Sequence, residues 1–261
     1  MRLVRRGASA VLRERREIAA GTVELTFVPD EEVRFEPGQY CRLDLAPLRW
    51  PDRKSSRKLS IVNAPFEQGR LVLATRQGVT GYKRSLDALE VGDRARIERV
   101  KGDLVLPSSP RRPISMVAGG IGVAPFVSML RHLDHRDELR DVRMLYLNRS
   151  RASAAYLDEL SDLAARRPGF RFVPVMTRDP DWVGEQRRLA PELLEATLRD
   201  PKRFEHFVVG TPRMVTAAVD ALALMGVPRR RVHEEDFSGY SPPDPGVQPR
   251  AVDVGSTGLA R

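Results

Sequence analysis

The sequence predicts two domains: an N-terminal antiparallel Greek-key β-barrel, then an α/β domain on a doubly wound, parallel five-stranded sheet. Three observations predict it. Apolar residues recur at period two through the first hundred positions, and after Pro113 apolar runs alternate with segments of helical period. The length of 261 residues suits two modest cores. With 41% apolar and 30% charged residues, the chain has the balance of a folded protein rather than a disordered or fibrous one.

In the first half the period is clearest at Val23, Leu25 and Phe27, and at Leu71 and Leu73 before Thr75. Gly21, Pro37-Gly38, Gly69, Gly92-Asp93 and Gly102-Asp103 are spaced as turns between antiparallel strands. A small barrel satisfies this pattern because closure leaves no long exposed edge. In the second half, strands are expected at 114–118, 142–147, 170–176 and 204–209, with a short one near Val232. Helices are expected at 125–133, 154–165, 191–198 and 212–225, several with proline in the first turn. Such alternation gives a parallel sheet with crossover helices. The expected units are a barrel at 1–110, an α/β domain at 111–240 and a flexible tail at 241–261. The boundary falls in Ser-Ser-Pro-Arg-Arg at 108–112, and the tail opens Ser-Pro-Pro-Asp-Pro-Gly.

Composition narrows the chemistry. The single cysteine, Cys41, excludes an internal disulfide and a four-thiolate iron-sulfur cluster, so a redox cofactor would be organic. No metal site is expected. The net charge of +9 suits a basic solvated face, an acidic protein partner or anionic cofactors. A nucleic-acid partner is not expected, since no aromatic platform or recognition motif accompanies the arginines. Residues 1–12 carry Arg2, Arg5 and Arg6 without the apolar run of a signal peptide, and no membrane span is visible, so a cytoplasmic location is expected.

The strand expected at 114–118 runs into Gly119-Gly120-Ile121-Gly122-Val123-Ala124-Pro125, and Phe126, Val127, Met129, Leu130 and Leu133 follow at helical spacing. A turn without Cβ atoms lets the backbone approach a pyrophosphate, and the helix start offers unpaired amides. The spacing is not Gly-x-Gly-x-x-Gly, and tight strand-to-helix packing explains it equally well on its own. In the barrel half, Arg57 could grip a phosphate and Ser60 could hydrogen-bond a flavin ring nitrogen. Singly, each is as well explained as a surface arginine and a strand serine.

Taken in order, the motifs resemble the ferredoxin-NADP reductase superfamily over residues 8–240. They are Pro37-Gly38-Gln39, Arg57-x-x-Ser60, Leu86-x-x-Leu89-x-x-Gly92-Asp93, Gly102-Asp103, the glycine turn, Tyr146-Leu147-Asn148-Arg149, Gly210-Thr211-Pro212-Arg213-Met214 and Glu235-Asp236-Phe237. The resemblance implies an FAD-dependent NAD(P)H oxidoreductase. Arg57 would bind the FAD pyrophosphate, and Leu59, Ser60, Ile61 and Val62 would line the isoalloxazine. Ala74, Thr75 and Arg76 would form a further FAD-binding strand, and Thr80, Gly81, Tyr82 and Lys83 a second phosphate contact. The nicotinamide nucleotide would take Gly119, Gly120, Gly122, Val123, Ala124, Pro125, Asn148, Arg149, Gly210 and Met214. Ser60, Glu235 and Phe237 would stand nearest the chemistry, with proton handling and ring covering given to the last two.

Two departures from the family stand out. Leu59 replaces an aromatic residue, so ring stacking becomes apolar contact. Val209-Gly210-Thr211-Pro212 replaces Cys-Gly-Pro-Pro, so no thiol stands there. These also motivate an alternative reading, a non-catalytic flavin or nucleotide sensor. Thr177-Arg178, with Arg187 and Arg188 following, favours NADP, whereas Asp179 and Asp181 keep NAD open. The expected acceptor is a separate acidic ferredoxin or flavodoxin, the alternative an oxygenase component.

Overall fold

In a computed structural model, residues 7–107, 112–139 and 141–237 are described. The barrel strands are β1 (Ala8–Ala19), β2 (Thr22–Pro29), β3 (Tyr40–Asp44), β4 (Ser56–Ser60), β5 (Leu71–Arg76) and β6 (Arg94–Lys101), with α1 (Gly81–Asp87) between the last two. The second half contributes β7 (Ile114–Gly119), α2 (Ala124–His135), β8 (Val142–Asn148), α3 (Leu157–Arg166), β9 (Phe170–Met176), α4 (Pro191–Leu198), β10 (Glu205–Gly210), α5 (Pro212–Leu224) and β11 (Val232–Asp236).

The first sheet runs β4-β3-β6-β1-β2-β5. An antiparallel bridge between Ile61 and Leu73 joins its two ends, and the Val62 amide donates to the Val72 carbonyl at 2.9 Å. The expected closure is therefore present. Period-two residues face inward, and Leu12, Leu25, Phe27, Leu43, Ile61 and Leu73 form the barrel core. On β2 the outward residues Thr22 and Glu24 are buried as well, because the second half covers that face.

The parallel sheet runs β11-β10-β7-β8-β9. Apolar residues of α2 and α3, such as Phe126, Leu130, Leu157 and Leu160, share one core with Met116 and Met144. Those of α4 and α5, such as Leu194 and Leu222, share the opposite one with Val117 and Val208. Helices on both faces explain why these strands read as continuous apolar runs.

Two elements start later than expected. The helix expected from 154 begins at Leu157, because Arg151–Ser153 form a 3-10 turn and Tyr156 is left-handed at φ +59°. The strand expected from 204 begins at Glu205, after a tight turn at Pro201–Arg203. Of the boundary expected at 108–112 only Arg112 is described, and the tail at 241–261 lies outside the described residues. Among the described residues no helix is long and apolar enough to cross a membrane.

The halves are locked by packing and polar links. Val62, Val72 and Ala74 of the barrel belong to the same core as Phe126 and Met129. The Tyr156 hydroxyl donates to Glu24 Oε2 at 2.7 Å, and the other oxygen of Glu24 pairs with Arg16 at 2.7 Å. The Ser128 hydroxyl donates to the Asn63 carbonyl at 2.8 Å, and the Ala20 amide to the Ala152 carbonyl at 2.7 Å. The mutual orientation of the halves, and of any groups held between them, is thereby fixed.

Candidate functional site

The order of the parallel sheet reverses between β7 and β10, and their carboxyl ends open the crevice where such sheets bind ligands. Gly119 and Gly210 lie side by side there, and a Cβ on either would collide with the Met214 sulfur. A Cβ on Gly122 would stand 2.5 Å from the Val209 carbonyl oxygen. Gly120 has φ +54°, and a Cβ there would stand 3.1 Å from a guanidinium nitrogen of Arg76. The turn is therefore closed in by sheet backbone, a thioether and an arginine from the barrel. Among the described residues Arg76 makes no ion pair with a carboxylate.

Between the halves lies a cleft of about 930 Å³. Arg57, Leu59, Ser60, Ala74, Thr80 and Lys83 line its barrel side, Ile121 and Ala124 the side of the glycine turn, and Glu235, Asp236 and Phe237 a third edge. The Phe237 amide donates to the Gly210 carbonyl at 2.9 Å, which holds that edge across the crevice. Burial, with Asp236 and Asp103 nearby, raises the Glu235 carboxyl above its ordinary range despite Lys58.

Arg57 is held from behind. Its Nη1 donates to the carbonyls of Lys54 at 2.7 Å and Ser56 at 3.0 Å, and Nη2 to Asp52 Oδ1 at 2.6 Å. The guanidinium lies 5.0 Å from the Tyr82 ring centroid, whose hydroxyl donates to the Leu43 carbonyl at 2.9 Å. Asp52 Oδ2 accepts the Tyr82 amide at 2.8 Å. That amide and the guanidinium hold the Asp52 carboxyl down at about 2, against partial burial. Thr80 caps α1 by accepting the Lys83 amide at 3.2 Å, and the Lys83 ammonium donates to Thr75.

Several expected site residues stand elsewhere. Ile61 points into the barrel core and Val62 into the core between the halves, so only Leu59 and Ser60 of that run line the cleft. Val123 and Pro125 are buried at the start of α2 rather than in the cleft wall. Gly81 abuts the Pro51 carbonyl, and a Cβ would not fit. Asn148, Arg149, Thr177 and Arg178 meet at the ends of β8 and β9. There the Thr177 hydroxyl donates to the Asn148 carbonyl at 3.1 Å and the Arg178 amide to the Arg149 carbonyl at 2.8 Å. Asp179 Oδ2 accepts the Arg151 amide at 2.7 Å. Arg187 pairs with Glu185 at 2.6 Å, whereas Arg188 is exposed.

Sequence reasoning passed over Lys58, Lys101 and His233, which line the cleft, and Asp52. Lys58 sits inside the Arg57-x-x-Ser60 motif and was findable. Asp52 lies in an aperiodic loop, where only a spatial partner gives it meaning.

The family model for the oxidoreductase NAD-binding domain matches residues 116–220. The reductase subunit of an aromatic O-demethylase from Amycolatopsis sp. is 29% identical over 242 residues, covering 90% of this chain and 71% of that protein. The reductase component of propane 2-monooxygenase from Gordonia sp. is 26% identical over 223 residues, 83% of this chain, and the match spans 63% of its own length. Among solved structures, the Amycolatopsis cytochrome P450 reductase GcoB has a TM-score of 0.79 at 29% identity, covering 89% of this chain and 70% of that one. A ferredoxin NADP+ reductase from Neisseria gonorrhoeae with bound FAD and NADP has a TM-score of 0.76 at 22% identity, covering 88% and 98%, and this likeness is one of fold.

Proposed function

We propose, for a chain that is an oxidoreductase of the ferredoxin-NADP reductase type with FAD- and NAD(P)-binding halves, that it oxidises NADPH and passes electrons to a separate protein. The single observation that carries the reading is the shared cleft, which the barrel's Arg57, Ser60 and Lys83 line together with Ile121 and Ala124 and the Glu235–Phe237 edge. Its two working units are a barrel at 1–110 and a nucleotide domain at 111–240.

The residues fit a flavin dinucleotide. Arg57, Thr80 and Lys83 place donors at one end of the cleft for a diphosphate, and Leu59, Ser60 and Ala74 offer apolar contact and one hydroxyl for the ring. When bound, the flavin supplies exchange between two-electron and one-electron transfer, which side chains do not provide. The crevice beside the glycine turn would take the nicotinamide nucleotide's diphosphate, with the Arg76 guanidinium next to Gly120 adding charge there. Phe237, which lines the cleft, would shield the ring from water. Glu235, with its raised pKa, holds a proton within the cleft more readily than an exposed carboxyl would. The rigid lock between the halves keeps the two cofactors in register.

NADP is the favoured nucleotide. Arg178 is exposed and could meet a phosphate, whereas one oxygen of Asp179 is committed to the Arg151 amide and the Thr177 O–H to the Asn148 carbonyl. Arg187, paired with Glu185, is a weaker candidate than Arg188. The electron acceptor is an oxygenase component, as the name of the propane 2-monooxygenase relative suggests. A ferredoxin or flavodoxin, which the net charge of +9 would also suit, is the second reading. The protein acts in the cytoplasm. In a steady-state assay with FAD and ferricyanide we expect oxidation of NADPH with a lower KM than NADH. Turnover with neither nucleotide would contradict the reading.

A further inference from the structure

We propose that Asp52 is a positioning residue for the flavin diphosphate, one that ties Arg57 to the seat formed with α1 so that the guanidinium presents its remaining donors in one fixed orientation. The proposal rests on the flavin reading above.

The loop between β3 and β4 is built onto α1. The Trp50 amide donates to the Ser85 hydroxyl at 3.1 Å, and the Arg49 and Arg84 guanidiniums lie 5.1 and 4.8 Å from the Trp50 ring centroid. The Pro51 carbonyl occupies the space where Gly81 lacks a Cβ. This seating brings Asp52 under Arg57, and the carboxylate divides its oxygens, one to the guanidinium at 2.6 Å and one to the Tyr82 amide at 2.8 Å.

Asp52 does not line the cleft, whereas Arg57 does. The Asp52 side chain is 10% exposed and that of Arg57 33%, so the acid acts from behind, through the arginine. With both Nη1 hydrogens and one on Nη2 bonded to Lys54, Ser56 and Asp52, Nε–H and the second Nη2 hydrogen remain for a ligand. The Tyr82 ring supports the plane of that fork. A guanidinium already held in its binding geometry has less rotamer freedom to lose when a phosphate arrives. Opposing this, the carboxylate's charge repels the same phosphate. The two effects have opposite signs, and removal of Asp52 decides between them.

FAD and riboflavin are titrated into apo-protein carrying Asp52→Ala, Asp52→Asn, Arg57→Gln or Asp52→Ala with Arg57→Gln, and thermal unfolding of each is recorded. Positioning predicts that Asp52→Ala weakens FAD about tenfold, that Asp52→Asn, which keeps an acceptor, weakens it less, and that riboflavin, which has no phosphate, binds both like wild type. In the Arg57→Gln background Asp52→Ala has no further effect on FAD. Tighter FAD binding without Asp52 would make the carboxylate a competitor and overturn the proposal. So would an unchanged affinity, or an equal loss with and without Arg57. Failure of the wild type to bind either flavin would overturn the flavin reading and this proposal with it. A wild type that binds FAD, with variants that break the pattern, overturns the proposal alone.

Discussion

Arg57 and Arg76 both stand on barrel strands, yet they are held in opposite ways. Arg57 has three hydrogen bonds to its own chain and an aromatic ring beneath it. Arg76, half buried against Gly120, forms no ion pair with a described carboxylate. A pre-ordered cation suits a group that stays bound. An unpaired one beside a glycine turn suits a ligand that arrives and leaves, because its charge stays uncompensated until an anion reaches it. On the reading proposed above, Arg57 would serve a resident cofactor and Arg76 an exchanging substrate.

The largest expected effect strikes the turn itself. Gly122→Ala brings a Cβ to 2.5 Å from a backbone oxygen of β10, and β10 cannot retreat without breaking its pairing with β7 and β11. A loss of about 3 kcal/mol in denaturant unfolding is expected, and wild-type stability would show that the turn has slack. Next, the arginines should separate. Arg57→Gln should raise the FAD Kd about a hundredfold and leave the KM for NADPH of the loaded enzyme near wild type. Arg76→Gln should raise that KM about tenfold and leave FAD binding alone. A shared loss would return Arg76 to the flavin side, where sequence reasoning had placed it. Replacing Thr177 and Arg178 with acidic residues should cut the preference for NADPH over NADH about tenfold, measured as the ratio of kcat/KM values.

A smaller effect is expected at the lock between the halves. Tyr156→Phe removes one bond to Glu24, which keeps Arg16, and should cost about 1 kcal/mol of unfolding free energy.

The pH response should differ in sign between Asp52 and Glu235. Asp52, held at about 2 in the fold against an ordinary 3.8, contributes stability that is present above the ordinary value and is lost as pH falls toward 2. Asp52→Asn should remove that acid-limb loss. Glu235, raised above 4.5, favours the fold at low pH, and this contribution is lost as pH rises through its folded value. Glu235→Gln should therefore be at least as stable as wild type at neutral pH, with the difference vanishing below 4.5. Thermal unfolding across pH reads both.

Much of this was legible in the sequence because periodicity reports burial directly. Val23, Leu25 and Phe27 alternate inward, and the run from Ile114 ends at the glycine turn where the sheet order reverses. Cleft-lining positions were legible where a motif marks them, as at Arg57 and Ser60. They were less so where a neighbour on another strand decides a residue's environment. Ile61 and Val62 share a motif with Ser60, but the bridge to Leu73 carries them into the cores. The hidden face of Glu24 depends on a tyrosine 132 residues away. Asp52 gains its partners only through a loop folded onto α1.

The most direct test is a single-turnover experiment without oxygen, in which NADPH deuterated at the transferred position is mixed with FAD-loaded protein. The account predicts bleaching of the yellow colour, slower with deuterium than with hydrogen, and return of the colour on adding ferricyanide. Loaded protein that stays yellow with both NADPH and NADH would contradict it.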